Sequence, residues 1–173
     1  MLSLITRGDY NVMRRANNWP APRWVRAYVI SATRGGDGWL WYAMGLAILL
    51  FGGEHRLAAV GAASVSAALS VLLFLFLKRL ACRPRPCQIE RHCWATLLPP
   101  DQFSFPSGHT MTAFAVTIPL SLFYPDLTAG LLFCALSVAV SRILLGMHFL
   151  SDVVAGASIG GVVGYLGYLT FQL

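Results

Sequence analysis

Charged residues are scarce in this 173-residue chain: only 12% are Asp, Glu, Lys or Arg, whereas 57% are hydrophobic. Soluble domains are about 25% charged and about 45–50% apolar, so the chain has too few polar side chains to cover a surface in water. This composition argues against a soluble enzyme, and also against disordered, collagen-like and coiled-coil proteins. The length is that of one domain, and its excess apolar surface is expected to face lipid.

Acidic residues are the scarcer charged class, with 7 Asp and Glu against 13 Lys and Arg, a formal net charge of +6. In a membrane protein this excess suits anionic headgroups or an anionic substrate. The sequence has no run of five or more basic residues of the kind that indicates a nucleic-acid partner, and we expect no such partner.

Cysteine is sparse as well, with four residues, of which Cys134 lies in an apolar run and is expected to be a small core residue. Cys82, Cys87 and Cys93 share one polar loop, which allows at most one internal disulfide. Their spacing does not match a zinc site built from two cysteine pairs. We expect neither a metal nor a cofactor.

Five apolar blocks follow a basic, tryptophan-containing segment. They cover residues 38–53, 57–77, 110–125, 127–141 and 153–173. A spanning helix needs about 20 residues, which two blocks supply outright and three reach with neighbouring residues. Segment 23–30 mixes arginines with aromatic residues and is too short to span, so it predicts an interfacial helix; a frayed terminus is the alternative.

The predicted fold class is therefore all-α: an integral membrane bundle of five spanning helices, with six as the alternative, plus an interfacial N-terminal helix. Residues 1–173 form a single domain, with an interfacial segment (1–37) and a bundle (38–173) that contains an active-site loop (78–109). Gly156, Gly160 and Gly164 are spaced by four residues, which predicts close helix packing. Up-and-down alternation of five spans places nearly every charge on one face.

Three cations from separate segments meet on that face: Lys78, Arg85 and Arg142. Such a group suits a phosphate, which Arg binds with two parallel hydrogen bonds and Lys as a point charge. Ser107 and Gly108 precede the third block, so backbone N–H groups at that helix start are expected to point at the same anion.

Two histidines and one aspartate join these cations. His148 and Asp152 are four residues apart and share a helix face, so the carboxylate is expected to accept a hydrogen bond from one imidazole nitrogen and leave the other free to attack. His109, from another segment, can protonate a leaving oxygen. Each feature alone has an ordinary structural explanation, but together they form a complete set for phosphoryl transfer without a metal.

The three parts resemble the signature of the type 2 phosphatidic acid phosphatase family: Lys-x6-Arg-Pro, Pro-Ser-Gly-His and Ser-Arg-x5-His-x3-Asp. Here they read Lys78…Arg85-Pro86, Pro106-Ser107-Gly108-His109 and Ser141-Arg142…His148…Asp152, and every position matches. The resemblance implies a metal-independent phosphatase with His148 as nucleophile, Asp152 as its partner and His109 as acid. It implies phosphate binding by Lys78, Arg85, Ser107, Gly108 and Arg142. Vanadium haloperoxidases share the signature, but they are soluble proteins.

The expected activity is removal of the terminal phosphate from a membrane lipid through a phosphohistidine, with undecaprenyl diphosphate, phosphatidylglycerophosphate and phosphatidic acid as candidate substrates. The alternatives are a lipid-linked phosphotransferase and a non-catalytic component that binds anionic lipid. The expected location is the plasma or inner membrane, as a multi-pass protein. The excess of basic residues on the motif face favours a cytoplasmic site, whereas the family resemblance favours an extracytoplasmic one. The oligomeric state is left open.

Overall fold

The computed structural model describes residues 6–90 and 101–172. Within these ranges the helices are α1 (Arg7–Asn17), α2 (Arg23–Gly35), α3 (Trp39–Phe51), α4 (Arg56–Ala81), α5 (Pro86–Ile89), α6 (Gly108–Phe123), α7 (Thr128–Leu144) and α8 (Leu150–Phe171). The described residues contain no strand longer than an isolated bridge between Pro84 and Phe103. The all-α prediction is confirmed.

Local signals explain where the helices that carry the motifs begin and end. Cys82 ends α4 in a left-handed conformation (φ 45°), and the prolines at 84 and 86 prevent the helix from continuing. The carboxylate of Asp152 accepts the N–H of Phe149 (2.8 Å) and so caps the start of α8. Tight turns link α3 to α4, α6 to α7 and α7 to α8. The alternation places the end of α4, the start of α6, the end of α7 and the start of α8 together.

Helix α6 lies at the centre of the bundle and packs against α4, α7 and α8. Its contact with α8 depends on the glycines: a Cβ at Gly156 would lie 2.7 Å from the carbonyl oxygen of Ser107, and one at Gly164 would lie 2.9 Å from that of Ala115. A Cβ at Gly160 would collide with the carbonyl of Met111. The predicted packing role of this glycine series is confirmed.

Large apolar side chains cover the outer faces of the bundle. Tyr42, Leu72, Phe76 and Phe133 are among those left exposed on α3, α4 and α7. Three helical segments are long and apolar enough to cross a bilayer: Gly53–Ala81, Pro125–Leu144 and Leu150–Phe171. Helices α3 and α6 are apolar but shorter, at 13 and 16 residues. The chain is a multi-pass membrane protein, and the span count of five or six remains a prediction.

The N-terminal segment is more ordered than either sequence-based alternative. The predicted interfacial helix starts at Arg23 as expected, but it extends to Gly35 and packs against α7. A second amphipathic helix, α1, precedes it and was not predicted. Thr6 and Asp9 cap α1 reciprocally, with the N–H of Asp9 donating to the Thr6 hydroxyl (3.1 Å).

Candidate active site

The structure brings the three motif segments together at one end of the bundle. Lys78 lies in the last turn of α4, Arg85 immediately precedes α5, and Arg142 lies near the end of α7. His148 lies between α7 and α8. All four side chains are buried, and the three cations each interact electrostatically with the ring of His148. The predicted convergence of Lys78, Arg85, Arg142 and His148 is therefore present in the structure.

His148 is held in one orientation by its backbone surroundings. Its Nδ1 lies 2.7 Å from the carbonyl oxygen of Ser104, which can only accept, so Nδ1 carries the proton. Its Nε2 is then unprotonated, and it lies 3.3 Å from Nη1 of Arg85. Burial, followed by the charges of Arg142 and Arg85, holds the pKa of His148 well below its usual range. The ring is neutral at physiological pH, with a free electron pair on the nitrogen beside the cations.

The expected direct hydrogen bond from His148 to Asp152 is not formed. Nδ1 of His148 is 3.7 Å from the Asp152 carboxylate, beyond hydrogen-bond range. The carboxylate instead accepts from the N–H of Phe149 (2.8 Å) and from Nη1 of Arg83 (2.5 Å). The prediction that the two residues share a helix face is wrong, because His148 precedes α8, which begins at Leu150. The carbonyl of Ser104, which sequence spacing does not reveal, accepts the imidazole proton instead.

Asp101 lies on two of the predicted phosphate-binding cations. Its carboxylate pairs with Nζ of Lys78 (2.5 Å) and Nη2 of Arg85 (2.7 Å), and its carbonyl oxygen accepts from Nε of Arg85 (2.9 Å). Burial alone would raise the pKa of Asp101, but hydrogen bonds from Lys78 and Arg85 outweigh it and lower the pKa. An ionised carboxylate thus neutralises part of the cationic cluster. Sequence reasoning missed Asp101, although carboxylates are rare in this chain.

The guanidinium of Arg142 is only partly hydrogen-bonded within the described residues. Its Nη1 donates to the hydroxyl of Thr33 on α2 (2.6 Å), while its buried Nε has no hydrogen-bond partner among the described residues. Thr33 connects α2 to the cationic cluster, a contact that the sequence did not suggest.

The Pro-Ser-Gly-His segment is used differently from the expectation. The N–H of Ser107 donates to the carbonyl of Asp152 (3.1 Å), and its hydroxyl lies 2.9 Å from that of Thr110. The backbone N–H of Ser107 is therefore committed to the protein and does not point at an anion. The N–H groups of Gly108 and His109 begin α6, where helix geometry provides no intrahelical acceptor for them.

His109 has a more open environment than His148. Its Nε2 lies 2.6 Å from a carboxylate oxygen of Asp37, in the turn between α2 and α3. Its ring interacts electrostatically with Arg142 and Lys78, the cations that also face His148. Both histidines thus share one cationic cluster, while Asp37 is a partner that the sequence did not reveal.

A cavity of about 610 Å³ begins at His109 and Asp37 and extends between α3, α4 and α6. Its lining is mostly apolar and includes Tyr42, Val60 and Phe74. Val60 and Phe74 are 14 positions apart on one helix, which corresponds to about 21 Å along its axis. The cavity is therefore long and hydrophobic, and it reaches His109 at the end of the bundle where the three motifs meet.

The cysteines do not form a disulfide within the described residues. Cys82 and Cys87 are free, as is Cys134, while Cys93 lies outside the described residues. No group of three or more His, Cys, Asp or Glu side chains in the described ranges is arranged to hold a metal ion.

Comparison with known proteins identifies this arrangement. The model of the PAP2 superfamily matches residues 59–173. The chain belongs to the PAP2 superfamily. The match contains all three motifs and confirms the resemblance inferred from them. Helices α1, α2 and α3 lie outside the residues that the PAP2 model matches.

Named PAP2-type relatives are phosphatases. A lipid A 1-phosphatase from Rhizobium etli is 33% identical over 96 residues, 53% of this chain and 41% of that protein. A decaprenylphosphoryl-5-phosphoribose phosphatase from Mycobacterium tuberculosis is 36% identical over 132 residues, 73% of this chain and 68% of that protein. The matched region is thus less than half of the lipid A phosphatase.

Solved structures show the same architecture. The crystal structure of Aquifex aeolicus LpxE has a TM-score of 0.76 at 26% identity, covering 91% of this chain and 93% of that one. A transmembrane PAP2-type phosphatidylglycerolphosphate phosphatase from Bacillus subtilis has a TM-score of 0.75 at 24% identity, covering 98% and 89%. The fold described above is therefore that of transmembrane PAP2 proteins.

Proposed function

We propose that this PAP2 protein is a metal-independent lipid phosphatase that removes the terminal phosphate of a membrane lipid through a phosphohistidine. The observation that carries the proposal is the state of His148. Its Nδ1 proton is held by the Ser104 carbonyl, its Nε2 is unprotonated, and that nitrogen lies beside Arg85 in a buried cluster with Lys78 and Arg142. A neutral, oriented imidazole among fixed cations suits attack on a phosphate.

The first step forms a bond from Nε2 of His148 to phosphorus and breaks the bond from phosphorus to the lipid oxygen. The leaving oxygen takes a proton from His109. Lys78, Arg85 and Arg142 neutralise the charge on the phosphoryl oxygens as they spread apart. The imidazole becomes positively charged, and the nearby carboxylate of Asp152 stabilises it across 3.7 Å.

The second step returns the enzyme to its starting state. A water molecule attacks the phosphohistidine and gives its proton to His109, now acting as base. The Nε2–phosphorus bond breaks, and inorganic phosphate leaves with the proton balance restored. Free phosphate released without an added acceptor separates this reaction from phosphotransfer to a second lipid or sugar.

The apolar cavity supports a lipid substrate. It reaches His109, the proposed proton donor to the leaving oxygen, and its length is sufficient for a hydrocarbon chain of about half the bilayer thickness. Relatives are named for lipid A, phosphatidylglycerophosphate and decaprenylphosphoryl-phosphoribose substrates. These classes join undecaprenyl diphosphate and phosphatidic acid as candidates for this chain.

The direct test is phosphate release from a panel of these lipids in mixed micelles containing EDTA. Wild-type protein is expected to release phosphate, and His148→Ala to lose at least 1,000-fold in rate because the attacking atom is gone. His55→Ala is the matched control, since His55 is exposed at the opposite end of the bundle. Wild-type activity that disappears with EDTA and returns with Mg²⁺ would contradict the metal-free mechanism.

We further propose that five helices, α3, α4, α6, α7 and α8, cross the plasma or inner membrane. The alternation of their ends supports this topology, although α3 and α6 are short. Gln102 is exposed on the site face, so Gln102→Cys in a protein whose loop cysteines are replaced reports that face. Labelling of intact cells by an impermeant maleimide indicates an extracytoplasmic site; labelling only after permeabilisation indicates a cytoplasmic one.

A further inference from the structure

We propose that Arg83 and Asp9 form a positioning pair that extends the His148–Asp152 unit, so that the N-terminal helix α1 takes part in setting the charge of the catalytic centre. The inference rests on the proposed function for its chemical meaning. Neither residue belongs to the three-part signature, and Asp9 lies outside the residues matched by the PAP2 model.

The guanidinium of Arg83 connects two buried carboxylates. Its Nη1 donates to Asp152 (2.5 Å) and to the Ser151 hydroxyl (2.7 Å), and its Nη2 donates to Asp9 (2.8 Å). The exposed fractions of the Arg83, Asp9 and Asp152 side chains are 4%, 2% and 0%. The Arg83 guanidinium also lies over the ring of Phe149, 4.5 Å from its centroid. Three separate segments therefore meet at one guanidinium.

Asp9 is committed to this contact rather than to the membrane surface. Besides Arg83, it accepts hydrogen bonds from the N–H (2.9 Å) and the hydroxyl (2.7 Å) of Ser151. Burial raises the pKa of Asp9, but hydrogen bonds from Ser151 and Arg83 outweigh it, so its pKa lies below the ordinary value. An ionised carboxylate at this depth requires a partner, and α1 is thereby fixed to the start of α8.

The charge balance of this cluster has a chemical consequence. Two carboxylates share one guanidinium, which leaves a net charge of about −1 beside the imidazole of His148. When Nε2 attacks phosphorus, the ring becomes positive, and this excess negative charge stabilises it. With a single carboxylate the cluster would be neutral and the stabilisation smaller. Asp9 thus acts on His148 through Arg83 and Asp152, without touching substrate.

Other charges also face His148 and are unchanged by this pair. They are Lys78 on α4, Arg85 before α5 and Arg142 on α7, with Asp101 paired to the first two. All three cations oppose protonation of the ring. A change confined to Asp9 or Arg83 leaves these charges in place, so a shift in the pKa of His148 reports the changed residue.

The test compares Asp9→Asn and Arg83→Gln in the full chain in detergent. Asp9→Asn removes a negative charge, so the acid limb of kcat/KM is expected to move to lower pH by about half a unit. Arg83→Gln removes the positive charge, so the limb is expected to move to higher pH. We expect kcat to fall about three- to tenfold in Asp9→Asn, because the stabilising charge is reduced. In Arg83→Gln we expect a fall of about ten- to 100-fold, because Asp152 loses the guanidinium that holds it beside His148, and this loss of position outweighs the gain in negative charge. Asp9→Glu is expected to recover most of the wild-type profile.

The controls separate a structural role from an electrostatic one. Asp126→Asn removes an exposed carboxylate at the opposite end and is expected to match the wild type. A role in folding alone lowers the thermal midpoint without moving the two acid limbs in opposite directions. The proposal would be overturned if the acid limbs of kcat/KM in Asp9→Asn and Arg83→Gln both stayed in place or moved in the same direction.

A readout without turnover distinguishes this proposal from the proposed function. The His148 ring nitrogens can be titrated by ¹⁵N NMR in protein labelled at its four histidines, with His148→Gln for assignment. Shifts of the His148 pKa in opposite directions in the two variants support the pair, even if the wild-type protein hydrolyses none of the lipids. In that case only the proposed function fails. Hydrolysis by the wild type, with unshifted titrations in both variants, would overturn the pair and leave the function standing.

Discussion

The two histidines of the candidate site occupy contrasting environments. The side chain of His148 is 1% exposed and that of His109 is 22% exposed. His148 is oriented by a backbone carbonyl, which cannot rotate away, whereas His109 is paired with Asp37, an exposed side chain in a turn. This difference matches the two proposed roles: a nucleophile benefits from a fixed direction, and a proton donor must reach both a leaving group and water.

The largest expected effect that separates these roles comes from His109→Ala. Without a proton donor, hydrolysis of a lipid phosphate is expected to fall about 100- to 10,000-fold. An aryl phosphate with a weakly basic leaving group needs little protonation, so its hydrolysis is expected to fall much less. The measurement is the ratio of the two rates in wild type and variant. An equal loss on both substrates would contradict the assignment of His109 as acid.

A second comparison concerns the cations beside His148. Because Asp101 neutralises part of the charge of Lys78 and Arg85, Asp101→Asn is expected to tighten inhibition by inorganic phosphate and vanadate about three- to tenfold. The side chain of Asp101 is 38% exposed, so solvent screening keeps the effect to about 1 kcal/mol. Weaker inhibition would show that Asp101 mainly orients the cations. Glu54→Gln, an exposed carboxylate at the opposite end, is the control.

A third prediction tests whether the cavity near His109 binds the lipid tail. Ala67 lines it on α4, so Ala67→Phe is expected to obstruct a long hydrocarbon chain. Activity on a long-chain lipid phosphate should fall about tenfold, while activity on a water-soluble phosphate ester is retained. Ala129→Phe, on an exposed position of α7, provides the matched control. Equal losses on both substrates would contradict a tail-binding role for the cavity.

A prediction about stability concerns the cost of burying neutral His148. Its pKa in the folded protein lies below the unfolded value of about 6.5, so the unfolded chain binds more protons as pH falls. The lowered pKa of the buried ring therefore has no effect on the free energy of unfolding above about pH 6.5. Below that pH it lowers the free energy of unfolding by about 1.4 kcal/mol per pH unit, until the pKa of the folded state is reached. Thermal midpoints in detergent between pH 8 and 5 should fall less in His148→Gln than in wild type. Identical pH dependence would contradict burial of the neutral ring.

The sequence predicted what depends on periodicity and spacing. Apolar blocks indicated the bundle helices, the glycine series predicted close helix packing, and the alternation of the spans placed Lys78, Arg85, Arg142 and His148 on one face. Acceptors on the backbone were not predictable, because the Ser104 carbonyl that binds His148 has no residue-specific signal. Pairings across long sequence separations, such as Arg83 with Asp9, were also missed, since spacing within one segment does not indicate them.

The account depends most on covalent chemistry at Nε2 of His148, and trapping the intermediate tests this directly. Wild-type protein mixed with a ³²P-labelled lipid phosphate and quenched in alkali within milliseconds is expected to retain label that is stable to alkali and labile to acid, as a phosphoramidate is. His109→Ala is expected to form the label slowly from a lipid, and His148→Ala to form none. Full turnover by wild type with no trapped label under these conditions, or label of equal amount in His148→Ala, would contradict the account.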